Sequence, residues 1–89
     1  MSSNAPTKLV YFAWVREMVG TPEEEIALPD SIRTVGDLPA FLAARSEGHA
    51  AAMEHAHAIR FALDQEAAEP GDTLAGAREI AVFPPMTGG

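Results

Sequence analysis

The residues best suited to chemistry lie at the carboxyl end, in the run Phe83-Pro84-Pro85-Met86-Thr87-Gly88-Gly89. No side chain in this run is charged. The two glycines leave the last carbonyl carbon with no neighbouring Cβ, so the segment can thread a narrow channel in another protein and offer its carboxylate there. Pro84 and Pro85 hold the approach extended and reduce the entropy lost on insertion. A carboxylate resists attack by sulfur or amine nucleophiles until its oxygen becomes a good leaving group, which adenylation with ATP achieves. Gly71, Gly76 and Gly88 lack the strand-to-helix setting of a phosphate-cradling loop, so a partner must supply that step. The expected site is therefore Gly89 as the reacting carboxyl, Gly88 clearing its approach, Met86 and Thr87 in the inserted segment, and Pro84 and Pro85 directing it. Phe83 anchors the exit and is the expected hot spot on a partner's surface.

Other constellations carry less. His49, His55 and His57 do not assemble a zinc pattern, because residues two apart cannot share a helical face and no cysteine or carboxylate completes the set. They read as surface histidines, and no metal is expected. Glu23-Glu24-Glu25 reads as the solvated edge of a sheet, a device against aggregation. Tyr11, Phe12, Trp14, Phe41 and Phe61 read mostly as core, with Phe83 as the exception. No Ser/His/Asp order or carboxylate dyad stands out, so the chain is not expected to be an enzyme on its own.

Composition narrows the field further. Eighty-nine residues, 47% of them apolar and 21% charged, make one small core. By area scaling, folding hides roughly 60 to 65% of the extended chain's surface. The absence of cysteine removes disulfides, thiolate metal sites and thiol nucleophiles. A net charge of −7 argues against nucleic acid, whose binding is driven by counterion release, and favours a partner with a basic face. No apolar run approaches the roughly 20 residues of a membrane span. Residues 1–7 are polar and lack the basic-then-apolar order of a signal peptide, so a cytoplasmic location is expected.

The elements that must position the carboxyl end follow from periodicity. Residues 1–7 read as a flexible leader, 8–83 as the domain and 84–89 as an extended tail. Residues 8–15 are dense in β-branched and aromatic types and nearly continuously apolar, which predicts a central strand. Residues 16–20 form a short helical turn stopped by Gly20. Residues 23–28 make a second strand with Ile26 and Leu28 on one face. Thr34 and Asp37 spell a capping box before a helix over 35–45 whose first turn Pro39 makes irregular. Residues 46–58 read equally as a second short helix or a wrapping loop. Residues 59–63 and 66–68 predict a hairpin turned by Asp64-Gln65, Leu74 plugs the core, and residues 79–83 form the last strand, ended by Pro84. Strands gathered around one main helix give a two-layer α+β fold. By analogy this order fits the ubiquitin-like β-grasp, a mixed four- to five-stranded sheet with that helix across one face.

The chain also resembles a known family, the small sulfur-carrier subunits of molybdopterin synthase, within the ubiquitin-like carriers that include the thiamine-pathway carrier. The ending Phe83-Pro-Pro-Met-Thr-Gly-Gly89 looks like that family's Phe-Pro-Pro-x-x-Gly-Gly, and Phe12-Ala-x-x-Arg16-Glu17-x-x-Gly20 resembles its opening strand and turn. Leu63-Asp-Gln65 stands where the family has a Val-Asn-Gln turn. Two departures stand out: Gly76-Ala77-Arg78 replaces an Asp-Gly-Asp turn, and residues 46–58 match poorly. The resemblance implies that an activating enzyme adenylates Gly89 with ATP and a sulfur donor displaces AMP to leave a thiocarboxylate. The tail then enters the large synthase subunit, in a heterotetramer, and sulfurates a cyclic pyranopterin precursor of the molybdenum cofactor. No cofactor is permanently bound. Three alternatives remain: a carrier for thiamine or another sulfur-bearing product, a ubiquitin-like modifier of other proteins, and a binding module with an inert tail. Lys8 is the chain's one lysine, so polymeric self-conjugates are not expected.

Overall fold

The computed structural model describes residues 6–85. Five strands form one mixed sheet: β1 Thr7–Tyr11, β2 Glu23–Ile26, β3 Arg60–Leu63, β4 Glu66–Ala68 and β5 Glu79–Phe83, in the spatial order β2-β1-β5-β3-β4. β1 runs parallel to β5, with Leu9 opposite Ile80 and Tyr11 opposite Val82, and antiparallel to β2. β3 pairs antiparallel with both β5 and β4. This is the β-grasp arrangement, and the expected central placement of the first strand holds.

Three short helices cover one face, α1 Ala13–Val19, α2 Leu38–Ala43 and α3 Glu47–Met53, in place of the one main helix expected. The first strand stops at Tyr11, short of the expected end at Val15. Ala13 takes φ 54° and turns the chain into α1, so Trp14 and Val15 are helical. Gly20 ends α1 as expected, at φ 96°, with its N–H bonded to the Arg16 carbonyl at 2.9 Å. That left-handed conformation suits glycine because it has no Cβ to clash.

The capping box at Thr34 and Asp37 forms, and the irregular first turn is a 3-10 turn, Val35–Asp37, that hands over to α2 at Leu38. The Asp37 carboxylate accepts the N–H groups of Arg33 at 2.9 Å and Thr34 at 3.0 Å, which hold its carboxyl below its ordinary pKa. Residues 46–58 resolve into α3, capped by Ser46, and a 3-10 turn, Ala56–Ala58. α3 packs on α1 at Gly48, where a Cβ would lie 2.3 Å from the Met18 carbonyl oxygen. Only glycine allows that approach.

Alternation along the strands separates two faces. Leu9 and Tyr11 of β1, Phe61 of β3, and Ile80 and Val82 of β5 pack beneath Val15, Leu38, Leu42 and Met53 to make the core. Each such side chain fully buried contributes about 1.5–3 kcal/mol. Leu74 plugs the core as expected, at 7% exposure. The β3–β4 hairpin turns on Asp64 and Gln65, both at positive φ (49° and 73°), the pairing that matches strand twist. The Asp64 carboxylate also accepts the N–H groups of Arg78 (2.9 Å) and Glu79 (3.0 Å), tying that turn to the start of β5.

Candidate functional site

β5, the strand that leads to the carboxyl end, is the middle strand of the sheet, bonded on one side to β1 and on the other to β3. Ile80 and Val82 are fully buried, so neither the position nor the direction of the strand can drift without opening the core. Its last contacts are the pairing of Phe83 with Arg60 and the 3.1 Å bond from the Phe12 N–H to the Val82 carbonyl. Pro84 and Pro85 follow, both half-buried. Neither has an N–H to continue a ladder, so the sheet ends where they begin. The two prolines thus stand at the exit of a strand gripped on both edges. Met86, Thr87, Gly88 and Gly89 lie outside the described residues.

Beside this exit the sheet's second face carries no helix. The register aligns Ala67, Ala62, Ala81, Val10 and Glu23 in a row across all five strands. The three alanines keep this part of the face low, with Phe83 and Arg60 in the next row towards the exit. Phe83 is half-buried. Phe12, read from the sequence as a core aromatic, is instead 46% exposed, because the chain leaves β1 one residue before it. Phe12 and Phe83 therefore flank the exit with aromatic surface that water solvates poorly, a usual mark of a docking site. The motif that begins at Phe12 singles the residue out, but its exposure depends on the strand-to-helix switch at Ala13.

A second cluster sits on the helical face. The Glu24 Oε2 accepts from the Tyr11 hydroxyl at 2.6 Å and lies 2.6 Å from His49 Nε2, whose Nδ1 is 2.7 Å from Ser46 Oγ. Arg45 reaches Glu24 Oε1 at 3.5 Å. His49 is buried, at 6% exposure, which corrects its reading as a surface histidine. Its partners come from two strands and a helix cap, and no local spacing announces them. Glu24 likewise departs from the solvated run around it: Glu23 pairs with Lys8 at 3.6 Å on the open face, while Glu24 turns inward. Burial pushes the Tyr11 hydroxyl pKa up, and its bond to Glu24 adds to the rise. Burial would raise Glu24 too, but the hydrogen bonds from Tyr11 and His49 outweigh it, and the carboxyl titrates below its ordinary range.

The Ser46, His49 and Glu24 sequence of contacts has the composition of a hydrolytic relay without its accessibility. Ser46 Oγ is occupied as the cap of its own helix, accepting the His49 N–H at 3.1 Å, and the imidazole is covered. Its role is to fasten α3 to the sheet. Among the described residues no three His, Cys, Asp or Glu side chains gather into a metal site, and no helix is long and apolar enough to cross a membrane.

Comparison with known proteins places the chain among relatives. The profile described as the ThiS family matches residues 9–89. The molybdopterin synthase sulfur carrier subunit of Escherichia coli is 38% identical over 82 residues, covering 92% of this chain and 98% of that one. Its counterpart from Chlamydomonas reinhardtii is 36% identical over 84 residues, covering 92% and 96%. In structure, small archaeal modifier protein 1 of Haloferax volcanii is similar at a TM-score of 0.67, with 28% identity and coverage of 92% of this chain and 99% of that one.

Proposed function

The chain belongs to the ThiS family, and on that premise we propose that it is the sulfur-carrier subunit of a molybdopterin synthase, acting in molybdenum cofactor biosynthesis. The observation that carries this reading is the exit geometry. A central strand gripped on both edges runs into Pro84-Pro85, and the sequence continues as Met-Thr-Gly-Gly.

In the proposed cycle the Gly89 carboxylate attacks the α-phosphorus of ATP on an activating enzyme, and pyrophosphate leaves. Sulfide supplied by a donor then attacks the acyl carbon, the acyl C–O bond to AMP breaks, AMP leaves, and a thiocarboxylate remains. Gly88 keeps the carbonyl accessible inside the partner's channel. The body supplies no acid or base to these steps: its one buried histidine is engaged with Glu24 and Ser46. What it supplies is placement. Phe83 and Phe12 dock on the partner beside the channel mouth, and Met86 and Thr87 pass through it. The large subunit, in a heterotetramer with this chain, holds most of the active site and binds the pyranopterin precursor. A thiocarboxylate is a good sulfur nucleophile at neutral pH, and a carrier without cysteine has no thiol of its own to divert that sulfur into a disulfide. ATP is consumed on the activating enzyme, the carrier keeps no permanent cofactor, and the proposed location is the cytoplasm.

Intact-mass analysis tests the reading. Incubation of the purified chain with a cognate activating enzyme, ATP and a sulfide source should replace one oxygen by sulfur at Gly89. The product should then convert the pyranopterin precursor when the large subunit is added. An unchanged mass refutes the carrier role. The likeness to the archaeal modifier protein favours one second reading, conjugation of Gly89 to lysines of other proteins. A ladder of conjugates in the native host, with no sulfur-bearing free chain, would establish that reading in place of the first.

A further inference from the structure

At the end of the sheet opposite Phe83, the loops after β2 and before β5 border an open cleft of about 590 Å³, within the size range of small-molecule sites. Leu28, Ile32 and Leu74 form its apolar wall, all three packed on or within the core. Arg33 and Arg78 stand on the rim, both exposed.

The walls are fixed by backbone bonds rather than by side-chain packing alone. The Leu74 N–H donates to the Arg33 carbonyl at 2.8 Å, and the Val35 N–H to the Asp72 carbonyl at 3.0 Å. Thr34 and Thr73 bridge the two loops. Arg78 is held at both backbone groups: its N–H by the Asp64 carboxylate at 2.9 Å, its carbonyl by the Lys8 N–H at 2.9 Å. Arg33 Nε donates to the Asp30 carbonyl at 3.3 Å, which steadies the guanidinium and leaves its terminal amino groups for a ligand.

Two of the chain's five arginines border this cleft. Lys8 pairs with Glu23 and Arg45 with Glu24. Among the described residues neither Arg33 nor Arg78 has a carboxylate within 4.0 Å of its side-chain nitrogens, a condition that Arg16 and Arg60 share, and the Arg33 charge also acts on the Asp37 carboxylate. What distinguishes Arg33 and Arg78 is that, on a chain of net charge −7, both border the same apolar wall. Asp30 is the one carboxylate in the lining. A monoanion would gain little against it, whereas a dianion with several acceptor oxygens can use both guanidinium forks.

We propose that this cleft binds a small phosphate monoester with an apolar or flat ring body, the phosphate on Arg33 and Arg78 and the body against Leu28, Ile32 and Leu74. The site is independent of the carboxyl end: the five residues of β5 place it about 17 Å from the exit.

Phenyl phosphate titrated into the nitrogen-15-labelled full-length chain tests the proposal. Saturable amide shifts confined to Ile32, Arg33 and residues 74–78 are expected, with inorganic phosphate and phenol each binding about tenfold more weakly because each fills half of the site. Arg78→Gln and Arg33→Gln should each weaken phenyl phosphate about tenfold and leave the spectrum away from the cleft unchanged. Shifts that do not saturate, or that scatter over the surface, would overturn the proposal. So would an affinity unchanged in both folded variants.

Discussion

Removing the Glu24 carboxylate should destabilise the domain far more than removal of an edge-strand glutamate ordinarily does. Two donors converge on Oε2 at 2.6 Å, the Tyr11 hydroxyl and His49 Nε2, and their side chains belong to residues exposed by 1% and 6%. In Glu24→Ala both lose a charged acceptor. The two groups are 3.4 Å apart and can bond weakly to each other, so one is partly compensated. A charge-assisted bond contributes about 1.5–3 kcal/mol, and a stranded buried donor costs about 1–3 kcal/mol, so a loss of about 2–4 kcal/mol is expected. The Arg45 contact, long and partly exposed, adds at most about 0.5 kcal/mol. Glu24→Gln keeps an acceptor oxygen without the charge and should cost about 1–1.5 kcal/mol. Because the folded-state pKa of Glu24 is depressed, its contribution is fully present above the ordinary carboxylate range. It disappears as pH falls through the folded value, and with it most of the difference between wild type and Glu24→Gln. Urea unfolding followed by the fluorescence of Trp14, the chain's single tryptophan, gives these energies, and a cycle with His49→Ala isolates the pairwise contribution. A Glu24→Ala cost below about 0.5 kcal/mol, or strict additivity with His49→Ala, would refute the cluster's role in holding α3 to the sheet.

Gly48→Ala should lower stability by about 1–3 kcal/mol, since its Cβ would meet the Met18 carbonyl at 2.3 Å and push α3 away from α1; thermal unfolding measures it. Phe83→Ala and Phe12→Ala should each weaken binding to the large subunit by about 1–2 kcal/mol with little change in unfolding midpoint for Phe12, as isothermal titration and thermal unfolding would record. Gly88→Ala should leave the unfolding curve unchanged and slow adenylation; a thiocarboxylation rate equal to wild type would count against threading of the tail through a narrow channel.

Where the chain can be read directly, strict local signals are responsible. The apolar, β-branched run at residues 79–83, closed by a proline that cannot donate, sets the boundaries of β5, and the Thr34 and Asp37 box locates the irregular start of α2. The overrun of β1 has an equally specific cause. Residues 9–15 are continuously apolar, and such a run is compatible with a buried strand and a buried helix alike. The break falls at Ala13, where a non-glycine residue takes positive φ and nothing in its identity signals it. His49 and Glu24 escape a sequence reading for a different reason. Their surroundings are assembled from β1, β2 and the cap of α3, so their burial is a property of the packing and not of the segments in which they occur. At the candidate site the end of β5 at Phe83, just before Pro84, is legible from the proline itself, whereas the exposure of Phe12 becomes visible only once β1 has ended.

The gripping of β5 from both sides also decides how the domain behaves under tension. When a partner draws on the carboxyl end, the pull travels along the strand axis. It meets the ladders to β1 and β3 lengthwise, so their cross-strand hydrogen bonds must all slip at once instead of breaking in succession. An edge strand pulled outward would peel. On the proposed function a 9.4 kDa chain would thus serve as a rigid handle, its end drawn into a partner's channel and later released without unravelling the body that carries it.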